Sequence, residues 1–178
     1  LMVASSFVLY TLAKVATTER GVWWLAVGLA VGAALLSKYT ALFFGPAILV
    51  WLVAVPKMRR WLLSPWPYLG GVATFAVCAP VILWNAEHHW VSFIKQLGRA
   101  RVAHLTLRYV AEIVPTQFLF ASPFVFVLGA MGLYAIATKR GGAYVARALL
   151  NAFIWIIVLY FTWHSLHSRV EANWFSPI

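Results

Sequence analysis

An arginine, a glutamate and an asparagine stand at alternate positions in His167-Ser168-Arg169-Val170-Glu171-Ala172-Asn173-Trp174, straight after an apolar run. Arg169 offers a planar fork of donors suited to phosphate or carboxylate. Glu171 adds a carboxylate and Asn173 a neutral donor and acceptor. Glu171 is one of four acidic residues, with Glu19, Glu87 and Glu112, and the chain has no aspartate. Ionisable groups at the mouth of a hydrophobic helix are costly and mark functional sites. Lys38 is another, set between two short apolar runs. A third group lies in Val91–Tyr109, where Lys95, Arg99 and Arg101 interleave with Val91, Ile94, Leu97 and Val102. Ile94, Leu97 and Arg101 keep helical spacing, which predicts an amphipathic helix lying in the interface within 91–107. Fixed cations, few carboxylates and several tryptophans suit an anionic amphiphile: a lipid phosphate carrying a sugar, its tail in an apolar groove.

Each feature also has a plainer reading. Lys38 could snorkel from a helix end, Arg169 and Glu171 could form an exposed pair worth under about 1 kcal/mol, and the basic helix could serve only to hold the membrane surface. The adjacent His88 and His89 do not converge on one ion, and no third ligand stands at motif spacing, so no metal and no cofactor are expected.

The elements that position these groups follow from composition. The chain has 178 residues, 63% hydrophobic and 10% charged, with mean hydropathy +0.86. A soluble domain is about half apolar and a quarter charged, so lipid is the expected solvent. The net charge of +10 would point to nucleic acid in a soluble protein. Here the basic residues cluster between apolar runs and read as topological anchors, with no nucleic-acid partner. Cys78 is single and lies within an apolar run, which excludes a disulfide framework. The chain opens inside an apolar stretch at Leu1 and ends as a new segment begins, so it reads as an internal piece of a longer polytopic protein.

Apolar runs fall at about Leu1–Ala16, Val22–Leu36, Thr40–Val55, Pro67–Trp84, Ile113–Ala137 and Ala148–Trp163. The second and third could join into one helix, but its length would be about 48 Å, too long for a hydrocarbon core of about 30 Å. Gly45-Pro46 also weakens the joined reading, so a break near Ser37-Lys38-Tyr39-Thr40 is expected. Lys14 and Arg20, then Lys57, Arg59 and Arg60, then Lys139, Arg140 and Arg147 follow alternate runs. Placing these clusters in the cytoplasm gives an all-α, polytopic bundle of about six spans. Lys38, the loop at about 85–112 and the segment after Trp163 then share the outer face.

Three strings in order resemble a known family. Gly28–Pro46 (GLAVGAALLSKYTALFFGP), Pro80–Phe93 (PVILWNAEHHWVSF) and Arg169–Trp174 (RVEANW) are similar to segments of bacterial membrane glycosyltransferases related to the protein O-mannosyltransferases, the lipid A aminoarabinose transferase and the rhizobial galacturonosyltransferases. The resemblance covers nearly the whole chain. It implies the GT-C type of fold, with residues 1–178 as part of a single transmembrane glycosyltransferase domain in a bacterial plasma (inner) membrane. It further implies transfer of a sugar from a polyprenyl-phosphate-linked donor to a lipid, glycan or protein acceptor on the extracytoplasmic face. The family's catalytic aspartate lies in an early outer loop, so it is expected upstream of Leu1 and the piece alone is expected to be inactive. Lys38 matches the family lysine and becomes a phosphate-side contact; Arg169, Glu171 and Asn173 match the last string. Arg99 and Arg101, from the basic loop, complete the expected substrate-binding set. Phe175-Ser176-Pro177 departs from the family's Pro-Ala-Pro. The alternative is a transporter or flippase of an anionic lipid or solute, since broken helices with intramembrane charge also fit that class; no internal repeat supports it.

Overall fold

The computed structural model describes residues 1–99, 105–120, 123–138 and 144–170. Among them helices and 3₁₀ turns are the only regular elements, so the protein is an all-α membrane helical bundle. The first apolar run forms α1 (Met2–Thr18), which stops where Glu19 turns left-handed at φ 55°. The second forms α2 (Trp23–Ser37). The expected break follows: Lys38 is extended (φ −164°, ψ 134°), and a 3₁₀ turn, Tyr39–Phe43, leads into α3 (Phe44–Ala54). Pro46 falls in the first turn of α3, where its missing N–H leaves no hydrogen bond unmade.

After α3 the chain bends by 116° into a 3₁₀ segment, Pro56–Leu63. Ser64 then caps α4 (Pro65–Glu87), its hydroxyl accepting from the Trp66 N–H. A short helix α5 (Val91–Arg99) forms within the stretch where charge spacing predicted one. The fifth apolar run contributes α6 (Arg108–Phe120) and α7 (Pro123–Thr138), and α8 (Tyr144–Ser165) closes the order.

The span count differs from the six expected. Among the described residues two helices, α4 and α8, are long and apolar enough to cross a membrane, or three spans if the bent pair of α3 and the following segment counts as one. The reason is length. At 1.5 Å per residue α4, with 23 residues, reaches about 34 Å, whereas α1 and α2, with 17 and 15 residues, reach about 26 and 22 Å, short of a 30 Å core. The count of six rested on the alternation of basic clusters, although the second and third runs were already short.

Packing fixes which ends meet. α2 and α4 run in the same direction in close contact, because Gly28 and Gly70 face each other: a Cβ on either would collide with the opposing backbone. Thr74 spans the gap, its hydroxyl donating to the Gly28 carbonyl at 2.9 Å, and small residues at such crossings are how helices pack in lipid. α3 packs along α8 through Phe44 and Phe153, ring centroids 5.2 Å apart. Trp51, fully buried, donates its indole N–H to the Val145 carbonyl at 3.0 Å. Val8, Leu12 and Val15 of α1 complete this core.

At one end of the bundle Glu19 holds Lys57 at 2.6 Å and Arg60 at 2.8 Å, while Arg59 donates to the free Val53 carbonyl of α3. The other end carries Lys38, the α4–α5 turn, the start of α6 and the tail of α8.

Candidate functional site

Between α2, the 3₁₀ turn, α3 and α4 lies a groove of about 520 Å³. Its walls are apolar: Val27 and Val31 from α2, Ile48 from α3, Phe75 and Ile82 from α4. Tyr39, the residue after Lys38, and Phe93 of α5 both line it and pack edge to face with centroids 5.6 Å apart. The groove therefore reaches the end of the bundle at the extended Lys38 and runs from there toward Trp24 and Pro67. The close approach at Gly28 and Gly70 forms its floor, since both glycines line it.

Lys38 sits outside the helices, and burial draws its ammonium below the ordinary lysine value. A cation with reduced hydration attracts an anion more strongly than a fully solvated one. The backbone holds its place, with the Lys38 N–H donating to the Ala34 carbonyl and the Lys38 carbonyl accepting from the Ala41 N–H.

Arg169 is brought to the same end by a different route. Phe43 packs on Tyr160 and Phe161 of α8, at 4.5 and 5.8 Å. Val170 joins Ile157 and Phe161 in a small apolar cluster, with Phe43 and Ile113 against it. The residue beside Arg169 is thus tied to the turn that follows Lys38. The segment before α6 is also tied in, because the Thr106 N–H donates to the Leu166 carbonyl at 2.6 Å.

The carboxylate beside Arg169 is Glu112, at 3.2 Å from Nε, and Glu112 also contacts Arg108 at 3.4 Å. The plainer sequence reading offers Glu171 as a partner for Arg169, and Glu171 lies outside the described residues; Arg108 and Glu112 are not among the expected site residues. Only the i, i+4 spacing of Arg108 and Glu112 was visible beforehand. Both arginines are about three-quarters exposed, so these pairs leave guanidinium edges open to a further anion.

Of the other expected site residues, Arg99 ends α5 but its side chain lies outside the described residues, as do Arg101, Glu171 and Asn173. His88 stacks on Trp84 at 4.1 Å and its Nδ1 lies 2.7 Å from the Trp84 carbonyl. Among the described residues, no three His, Cys, Asp or Glu side chains converge as ligands for an ion. Two histidines escaped attention in the sequence. His164, buried at 1% exposure, and His167 lie with ring centroids 4.8 Å apart, and Tyr160 stacks on His164. Their spacing of three in a helix end was the available signal.

The groove falls in the part of the chain that matches a protein family. Residues 1–84 match the model for dolichyl-phosphate-mannose-protein mannosyltransferase. Those residues make up just under half of the chain. The chain is similar to the lipid A galacturonosyltransferase RgtD of Rhizobium johnstonii, 28% identical over 153 residues that cover 84% of this chain and 31% of that protein. It thus spans about a third of that relative's length. No solved structure matches the chain. The GT-C resemblance read from the three strings holds, and the matched residues include Lys38, the groove floor and most of α4.

Proposed function

We propose that the full protein is a GT-C glycosyltransferase that moves a sugar from a polyprenyl-phosphate donor to a lipid, glycan or protein acceptor, and that this stretch of it supplies the donor site. The observation that carries the reading is the apolar groove between α2, α3 and α4, lined at one end by Tyr39, the residue that follows Lys38. A prenyl chain needs apolar walls and no buried polar partners, and its phosphate needs a fixed cation at the mouth. The family match supports a lipid-phosphate sugar as the donor class, and the galacturonosyltransferase likeness supports a lipid or glycan acceptor.

In this reading the bond between the sugar and the lipid phosphate breaks with oxocarbenium character, and negative charge grows on the departing phosphate. Lys38, with Arg169 and Arg108 at the same end, meets that charge through fixed donors, a contribution of the oxyanion-hole kind. Arg99, Arg101, Glu171 and Asn173 remain candidates for contacts to the sugar and phosphate. The acceptor's base comes from a carboxylate upstream of Leu1. The Lys38 end faces the extracytoplasmic side of a bacterial inner membrane, because the Glu19 end carries the denser basic clusters.

The test is a transfer assay with labelled polyprenyl-phosphate sugar on membranes carrying the full-length protein. Lys38→Met is expected to abolish most transfer, and Lys38→Arg to retain part, since guanidinium keeps the charge but not the geometry. Wild-type transfer by Lys38→Met overturns the phosphate role and leaves Lys38 as an interfacial anchor.

A further inference from the structure

We propose that Asn85 is a positioning residue for the groove: it latches α5 across the Lys38 end, with Phe93 as the part of α5 that closes on Tyr39. The turn that aims α5 is unusual. His89 and Trp90 are successive non-glycine residues in the left-handed region, at φ 54° and 57°. Side chains rarely adopt that backbone, and a bulky one does so only where its surroundings over-determine it.

Asn85 supplies the determination. It is fully buried, and each of its polar groups shown here is engaged. Its backbone carbonyl accepts from the Trp90 N–H at 2.7 Å, inside the strained turn. Its Oδ1 accepts from the Ser92 N–H at 3.2 Å, satisfying one of the donors that the first turn of a helix leaves over. Its Nδ2 donates to the Val81 carbonyl at 2.9 Å, which fixes the amide's orientation. One side chain near the end of α4 thereby caps α5 from outside and holds it folded back. Trp90 packs on Phe93 at 5.7 Å, and Phe93 meets Tyr39 at 5.6 Å; both Phe93 and Tyr39 line the groove. The roof therefore depends on a buried amide that itself lines no part of the groove.

The inference rests on the proposed donor site only for the identity of the groove's ligand, and the latch can be tested without any ligand. Ile82 lines the groove one turn before Asn85 on α4. In the full-length protein in nanodiscs, with every native cysteine including Cys78 replaced, Ile82→Cys reports access by a charged, water-soluble methanethiosulfonate. Asn85→Ala is expected to speed labelling about tenfold, the effect of losing the one side-chain bond that ties Asn85 to α5, worth about 1.4 kcal/mol. Phe93→Ala removes the roof contact and leaves every Asn85 bond in place, so it serves if Asn85→Ala does not fold; it should speed labelling to a similar degree. Undecaprenyl phosphate is expected to slow labelling in both the latched and unlatched proteins. In the transfer assay Asn85→Ala should raise the donor KM with kcat nearly unchanged, as loss of a positioned roof predicts. Unchanged labelling rates in Phe93→Ala and in a folded Asn85→Ala overturn the latch. Faster labelling without protection by undecaprenyl phosphate keeps the latch and overturns the donor reading instead.

Discussion

Glu19 shows how one carboxylate can organise an end of the bundle. Its hydrogen bonds to Lys57 and then Arg60 hold its carboxyl below the ordinary glutamate range. A depressed folded value means that the stabilisation is present at neutral pH and is lost as pH falls through that value. Acid titration of stability should therefore show a loss below roughly pH 5 that Glu19→Gln flattens, and thermal unfolding in detergent across that range checks it. The effect should be modest and sensitive to salt, because the cluster is exposed. At the other end, Arg169 offers a sharper test. Glu112→Gln frees Arg169 and Arg108 of their carboxylate, so binding of an anionic lipid phosphate should tighten by about twofold to fivefold, as for an exposed pair of under about 1 kcal/mol. Weaker binding would mean that Glu112 orients the arginines and does not compete with the ligand. The residues of this end were unevenly legible. Lys38 stood out because a charge inside an apolar region is rare, whereas Glu112 lies far from Arg169 in sequence and only the fold pairs them.

Among the elements, the contact of α2 with α4 carries the most information. Gly28→Ala or Gly70→Ala puts a methyl group into opposing backbone, which a flexible side chain cannot relieve. Overpacking of this kind costs about 1–3 kcal/mol, and a fall in the unfolding temperature of the purified protein in detergent would check it. A control comes from Gly45 and Gly71, where an added Cβ meets nothing nearby, so their alanine variants should lose little by packing. The break at Lys38 and the helix α5 could be read from sequence, since each is announced locally by charge among apolar residues. The groove could not. Its walls come from four separate elements, and no string of residues records their meeting.

For the molecule as a whole, the two ends should face opposite sides of the membrane. Cysteines placed at Arg59 and at Glu87, in the background lacking Cys78, should differ in their reaction with an impermeant maleimide in intact cells, position 87 reacting and position 59 not. Equal labelling would reject the arrangement drawn from alternating basic clusters. Glu19, Lys57 and Arg60 meet at one end, while Lys38 and α5 lie at the other. Finally, the groove is not walled on every side. Leu36, Leu42 and Phe75 line it yet are 48%, 60% and 69% exposed, so it is open along its flank to the surrounding bilayer. A ligand can then arrive sideways, by diffusion in two dimensions, without ever passing through water. Occupancy would follow the ligand's mole fraction among the lipids and not its amount per volume of suspension. Adding inert phospholipid at constant total ligand should slow the reaction by surface dilution, while concentrating the same vesicles should leave the turnover of each enzyme unchanged.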